Sequence, residues 1–166
     1  FGPRQDPSSQ YAAVIPNFIT AMLRGQRPTI YGDGKQSRDF VYVANVVEAN
    51  LLAAEPQAPS RLAVSAPAAA GRVLNIATGQ RYTLLDLVRV LNGLLGTDIA
   101  PLHTPPRPGD VRHSVADITA AQDVLGYQPR VSFQEGLHRT VDWYRQQLYP
   151  RIARPCMPGH QAGCGA

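Results

Sequence analysis

Apolar residues fall at Val14, Ile15, Phe18, Ile19, Met22 and Leu23, a spacing that lines one face of a helix, and Gly25 ends it. Thr29-Ile30-Tyr31 reads as a short strand, stopped by Gly32-Asp33-Gly34. A second extended piece is predicted over Arg38-Asp39-Phe40-Val41-Tyr42-Val43. Asn45 followed by Glu48 has the spacing of a capping box, so a helix is predicted from there through Ala54.

Residues 56–72 are rich in Pro, Ala and Ser without periodicity, the mark of a surface loop. Val73-Leu74-Asn75-Ile76-Ala77 is predicted as a buried strand that Gly79 breaks. Thr83 with Asp86 caps a helix bearing Leu84, Leu87, Val88, Leu91, Leu94 and Leu95, and Gly96 ends it. A Pro-rich segment covers 101–109. Asp117 then caps a short helix closing at Gly126, and Ser132 with Glu135 caps a last one carrying Leu137, Val141, Tyr144 and Leu148. Residues 150–166 read as an unstructured tail. Five helices among few, brief strands make a mixed α/β chain, too poor in strands for a complete doubly wound sheet.

Composition narrows the class. With 166 residues, 44% hydrophobic and 17% charged, the chain can bury one ordinary core and is too apolar to be disordered. No apolar run approaches the ~18–20 residues of a membrane span, and no basic-then-apolar leader is present. The chain opens Phe1-Gly2-Pro3-Arg4 without methionine, as expected of a processed product or of a fragment lacking its upstream half.

The net charge of +4 overstates the basicity. Lys35 is the only lysine, and Arg151 and Arg154 lie in the tail, which leaves about +2 over residues 1–150. That is too little for a nucleic-acid footprint, and no aromatic–basic ladder accompanies it. Arginines at isolated, defined positions suit a small anionic ligand, because a guanidinium fork grips phosphate bidentately. Cys156, His160 and Cys164 offer three metal ligands at most, in a glycine-rich tail without a fourth, so no metal site is expected. The absence of cysteine from the body fits a reducing compartment.

Neither G-x-G-x-x-G nor a Walker loop occurs, so the chain carries no dinucleotide cradle of its own. Tyr31 and Lys35 have the Y-x-x-x-K spacing of a catalytic pair, but that pairing needs one helix face. Gly32 and Gly34 between them favour a turn, at roughly 1 kcal/mol of helix stability per glycine. The better chemical signal is arginine. Arg38 follows the glycine turn, and Arg107-Pro108-Gly109-Asp110 sets an arginine on an open loop with Arg112 and His113 beyond. Spacing alone leaves Arg38 free to pair with Asp39 or another surface carboxylate instead. His103 and His113 read as solvent-facing or structural.

Several of these stretches together resemble one family: Phe1-Gly2-Pro3-Arg4-Gln5-Asp6-Pro7, Val14-Ile15-Pro16-x-Phe18, Tyr31-Gly32-Asp33-Gly34, Arg38-Asp39-Phe40-Val41-Tyr42-Val43, Asn75-Ile76-Ala77, Arg107-Pro108-Gly109-Asp110-Val111-Arg112-His113-Ser114, Asp117 and Leu125-Gly126-Tyr127. Their order and spacing over residues 1–148 are similar to the C-terminal half of extended short-chain dehydrogenase/reductases. Within these they look most like the nucleotide-sugar 4-epimerases for UDP-N-acetylglucosamine and UDP-glucose. The departures are a longer 56–72 loop, an unmatched tail, and Asn45 where the family often has Asp.

The resemblance implies an α/β fold: the C-terminal substrate-binding part of a Rossmann-type extended short-chain dehydrogenase, with most of the parallel NAD-binding sheet missing. It implies a nucleotide-sugar-binding half over 1–149 and a flexible tail over 150–166. The upstream half would bind NAD and hold the catalytic Tyr/Lys pair, leaving no catalytic residue in this chain and no turnover by it alone. Thr29 and Tyr31 are then expected along the uracil through backbone contacts, Arg38 and Arg107 on the diphosphate, and Asp110 on the ribose. Gln5, Ala13 and Val14 are expected on the sugar side. Ser114, small where glucose-restricted relatives hold a bulky aromatic, is expected to leave room for an N-acetyl group. The whole protein is expected to be a cytoplasmic homodimer acting on a UDP-sugar through a 4-keto intermediate, with neither nucleic-acid nor membrane partners. A 4,6-dehydratase, a uronate epimerase and a non-catalytic nucleotide-sugar-binding module are the rival readings.

Overall fold

The computed structural model describes residues 1–7, 14–54 and 71–148. Its five helices are α1 (Val14–Leu23), α2 (Val43–Ala54), α3 (Leu84–Leu95), α4 (Thr119–Leu125) and α5 (Phe133–Leu148). Four short strands pair two by two. β1 (Thr29–Tyr31) runs parallel to β4 (Leu102–Thr104), and β2 (Ser37–Arg38) runs antiparallel to β3 (Tyr82–Thr83).

The main core follows from the periodicity of three helices. Ile15, Phe18, Ile19 and Met22 of α1 meet Leu84, Leu87, Val88 and Leu91 of α3 and Phe133, Leu137, Val141 and Tyr144 of α5 around Ile30 of β1. Burying a side chain of this kind contributes about 1.5–3 kcal/mol, which is what holds a two-stranded ladder as slight as β1–β4 in place. A smaller cluster joins Ala49 of α2 to Ala121, Val124 and Leu125 of α4, with Tyr127 buried beside them.

The capping signals around α3 are realised. Thr83 and Asp86 exchange side-chain and backbone bonds in a capping box, and Gly96 closes the helix in the left-handed conformation at φ 67°. These bonds to Thr83, together with Arg89, hold the Asp86 carboxyl below its ordinary range. Ser132 accepts from the Glu135 amide at 3.2 Å, so α5 starts where expected, whereas α4 starts one residue later than its expected cap: Ile118 is the N-cap without a side-chain bond, and Asp117 accepts from the Thr119 amide at 2.9 Å in the turn before it.

Four expectations are corrected. The extended piece from Arg38 shrinks to a strand ending at Arg38, because Asp39 leaves the ladder to accept from the amides of Thr78 and Gly79, and Val43 already belongs to α2. Asn45 is no cap: it is the third residue of α2 and buried, and its carboxamide donates to the Val131 carbonyl and accepts from the Val131 amide. Glu48 pairs with Arg130 instead. Residues Val73–Ala77 form no strand, since no described strand lies alongside them, and Val73 is 98% exposed. Within the Pro-rich segment, Leu102–Thr104 does form a strand, because the three residues between Pro101 and Pro105 keep their amides for pairing. Most of the 56–72 loop, and the tail with its Cys156, His160 and Cys164, lie outside the described residues.

Tyr31 and Lys35 do not share a helix. Gly32 and Gly34 between them are left-handed, and a Cβ on Gly34 would meet Leu85 Cγ at 2.9 Å. This turn ends β1 and reverses the chain toward β2.

Candidate functional site

A cavity of about 550 Å³ lies between α1, β1, β2, the start of α3 and the loop that follows β4. Val14, Thr29, Tyr31, Arg38, Arg107 and Asp110 all line it. Gln5 does not: its carbonyl accepts from the Tyr144 hydroxyl at the edge of the main core. Ser114 is exposed and outside the lining, its amide bonded to the Ser37 carbonyl at 3.0 Å. Ala13 lies outside the described residues.

Local sequence explains how the arginine loop takes its shape. In Arg107-Pro108-Gly109-Asp110, proline presets the first turn angle and Gly109 supplies φ 78°, so the Asp110 amide reaches the Arg107 carbonyl at 3.3 Å. The turn sets Arg107 and Asp110 beside each other at the cavity. Beyond it, Arg112 grips Asp33 through two bonds of 3.1 and 2.8 Å, tying the loop to the glycine turn. The Arg112 bond, with help from the Lys35 amide, holds the Asp33 carboxyl below its usual range. The Ser37 amide donates to the Arg112 carbonyl at 2.9 Å, and the Ser37 hydroxyl meets His113 Nδ1 at 2.9 Å. His103 Nδ1 donates to the Gly32 carbonyl, so both histidines are structural, as their positions in the sequence implied.

Arg38 and Arg107, two of the three arginines that line the cavity with Arg27, have partners within it. Arg38 donates through Nη2 to Asp110 Oδ1 at 2.6 Å and through Nη1 to the Ser37 carbonyl at 2.9 Å, using two of the five N–H groups of a guanidinium. Arg107 lies over the Tyr31 ring, its central carbon 3.8 Å from the centroid. Asp39, the neighbour that sequence offered as an alternative partner for Arg38, is engaged with Thr78 and Gly79.

Strand β1 contributes its backbone. Leu102 N–H donates to the Pro28 carbonyl and Gly32 N–H to the Thr104 carbonyl, so the groups turned to β4 alternate through Pro28, Ile30 and Gly32. The peptide groups of Thr29 and Tyr31 therefore face the cavity. A wall with the Arg38 and Arg107 guanidinium groups, one carboxylate and a strand edge can take an anion, a hydroxyl and a planar hydrogen-bonding ring side by side.

Sequence reasoning missed Asn17, Arg27 and Gln36 in the lining. Asn17 is the polar, exposed position on the otherwise apolar run of α1. Gln36 has the same strand parity as Arg38, which was signal enough to pair them. Arg27 reaches across to the carbonyls of Ala100 and Pro101, contacts that no local pattern announces.

Among the described residues each sheet has only two strands, and the left-handed glycines sit at turns and helix ends and not in a glycine-rich strand-to-helix loop. Among them, too, no helix is long and apolar enough to cross a membrane.

Comparison with known proteins gives the cavity its context. Residues 1–77 match the NAD dependent epimerase/dehydratase family. The UDP-glucose 4-epimerase of Mycolicibacterium smegmatis is 37% identical over 147 residues, 89% of this chain and 43% of that protein. Among solved structures, the Thermotoga maritima UDP-glucose 4-epimerase with UDP-glucose is 43% identical with a TM-score of 0.77, covering 89% of this chain and 44% of that one. The UDP-N-acetylglucosamine 4-epimerase of Methanobrevibacter ruminantium, in complex with UDP-N-acetylmuramic acid, is 42% identical with a TM-score of 0.74 over the same shares. Further relatives include nucleotide-sugar dehydratases and decarboxylases. The chain thus spans less than half the length of the relatives it matches. Its residues 1–77 are an NAD dependent epimerase/dehydratase family domain, and a match over 89% of this chain to less than half of each epimerase is consistent with the C-terminal part of an extended short-chain dehydrogenase/reductase.

Proposed function

We propose that this chain is the part of a UDP-sugar 4-epimerase that binds and orients the nucleotide sugar. The observation that carries the reading is the convergence of Arg38, Arg107, Asp110 and the cavity-facing edge of β1 on one cavity. In this reading the base lies against the peptide groups of Thr29 and Tyr31. The diphosphate takes the remaining donors of Arg38 and draws Arg107 off the Tyr31 ring, and Asp110 accepts from a ribose hydroxyl. Val14, Gln5 and Ala13 belong to the sugar side, and Ser114 leaves room for an N-acetyl group on a sugar that extends past the cavity.

A 4-epimerase must hold the nucleotide while the sugar changes the face it presents, and two guanidinium groups on one diphosphate do that without gripping the sugar. The same proposal places NAD and the catalytic Tyr/Lys pair outside the described residues, so the chain alone binds and does not turn over. It places the whole protein in the cytoplasm as a homodimer, with residues 1–149 as the nucleotide-sugar-binding unit. The test is a calorimetric titration with UDP-glucose, UDP and uridine. Binding of the first two with loss of affinity for uridine supports the reading, and equal binding of uridine and UDP contradicts the diphosphate clamp.

A further inference from the structure

Arg38 is the last residue of β2, and its ladder with β3 has two residue pairs, Ser37 with Thr83 and Arg38 with Tyr82. A ladder so short does little to hold its own end. Before Arg38 it is supported: the Leu84 amide donates to the Gln36 carbonyl at 3.3 Å, and Ser37 bonds through its amide and carbonyl to Arg112 and Ser114. Beyond Arg38, Phe40 stacks on Phe133, as Tyr82 does from β3, with ring centroids 5.4 and 4.2 Å away. Apolar burial is non-directional, so the rings hold both segments to the core without fixing where one lies along the other.

The directed contact at this end is the half-buried Asp39. Its Oδ1 accepts from the Thr78 amide at 3.0 Å and the Thr78 hydroxyl at 2.5 Å, and its Oδ2 accepts from the Gly79 amide at 2.8 Å. Thr78 Oγ1 in turn accepts from the Gln80 amide at 3.2 Å. From this turn only Gln80 and Arg81 lead into β3 at Tyr82, opposite Arg38. The carboxylate therefore ties the chain just after Arg38 to the chain just before its ladder partner. A carboxamide could not do the same, because its NH2 group would face an N–H.

Where Arg38 points depends on this closure. Successive side chains of a strand face opposite ways, so Arg38 enters the cavity while Asp39 turns to the Thr78–Gly79 turn. We propose that Asp39 is a positioning residue for the anion site: by holding the Thr78–Gly79 turn it fixes the end of β2 and so aims Arg38 into the cavity. This rests on the reading of the cavity as a nucleotide-sugar site and adds to it a residue that touches no ligand. The sign of its effect is distinctive. Removing a negative charge near an anion site would, by Coulomb attraction alone, tighten a diphosphate, whereas loss of aim weakens it.

The experiment titrates the whole chain with UDP and with uridine, for wild type, Asp39→Asn, Arg38→Ala and the double variant, with circular dichroism on each sample. Asp39→Asn is expected to weaken UDP about tenfold, the scale of a lost charge-assisted contact, and to leave uridine within about twofold. In the Arg38→Ala background the same substitution is expected to change UDP by less than about twofold, because the residue it positions is gone. If Asp39→Asn does not fold, Thr78→Val, which removes one donor from the same turn, is read in its place in both backgrounds. Loss of the fold in both variants makes the turn a requirement of the whole core and overturns a role confined to Arg38. UDP binding unchanged or tightened, an equal loss of UDP and uridine, or the same loss of UDP with and without Arg38 overturns the inference and leaves the nucleotide reading standing. A wild type that binds UDP no better than uridine, or binds neither, overturns both.

Discussion

Arg38 and Asp110, 72 residues apart in the chain, meet in an ion pair of 2.6 Å on the cavity wall. One comes from a strand end and the other from a Pro-Gly turn, so neither local sequence contains the pair. Its side chains are 28% and 38% exposed, which keeps its contribution to stability within the ~0–1 kcal/mol of a surface pair. Asp110→Asn is therefore expected to shift the melting temperature little. If that carboxylate orients Arg38 and accepts from the ribose as proposed, removing it is expected to weaken UDP about tenfold, a loss of order 1–2 kcal/mol. Parallel melting curves and titrations check it.

Asn45 separates two accounts of the start of α2. A capping residue would tolerate Ser in its place. A buried clamp on Val131 would not, because both Val131 backbone groups would lose their partner. Asn45→Ser is expected to destabilise the fold by about 2 kcal/mol, and a change within 0.5 kcal/mol in urea denaturation would contradict the clamp.

The capping box of α3 has a pH signature. The bonds from Thr83 hold the folded Asp86 carboxyl below the ~3.9 of an unfolded chain. A depressed carboxylate contributes its stability fully above the unfolded value and loses it as pH falls through the folded one. Wild type is expected to lose stability as pH drops below about 4, and Asp86→Asn is expected to be weaker at pH 7, by about 1 kcal/mol, and to show less of the acid loss. Thermal melts from pH 7 to pH 3 measure both slopes.

Ser114→Tyr tests the substrate expectation. If a small side chain there admits an N-acetyl group, the tyrosine variant is expected to lose UDP-N-acetylglucosamine binding at least about tenfold more than UDP-glucose binding. An unchanged ratio removes Ser114 from the account.

Elements with a complete local signal were legible in the sequence. Thr83, Asp86 and Gly96 bracket α3 because capping chemistry is local, and the α1 stripe buries the face its spacing marks. What the sequence obscured depends on partners far along the chain. The three residues of β4 form a ladder only because β1 lies alongside, with the flanking Pro28 carbonyl taking the Leu102 amide and the flanking Gly32 amide the Thr104 carbonyl, and Val73–Ala77 stays outside any described strand for want of a neighbour. The cavity divides in the same way. Arg38, Arg107 and Asp110 stood out through the resemblance of their surroundings, since spacing alone favoured a surface pairing for Arg38. Gln36 did not, because its bond to the Tyr31 carbonyl depends on which groups of β1 the ladder leaves over.

The central claim is that Arg38 and Arg107 share one diphosphate in this cavity, and a crystal structure of the chain with UDP bound tests it most directly. The account predicts phosphate oxygens within hydrogen-bonding distance of both guanidinium groups, Arg107 lifted from the Tyr31 ring, and the uracil against Thr29 and Tyr31. A diphosphate bound elsewhere, with Arg107 still stacked on Tyr31, would contradict it.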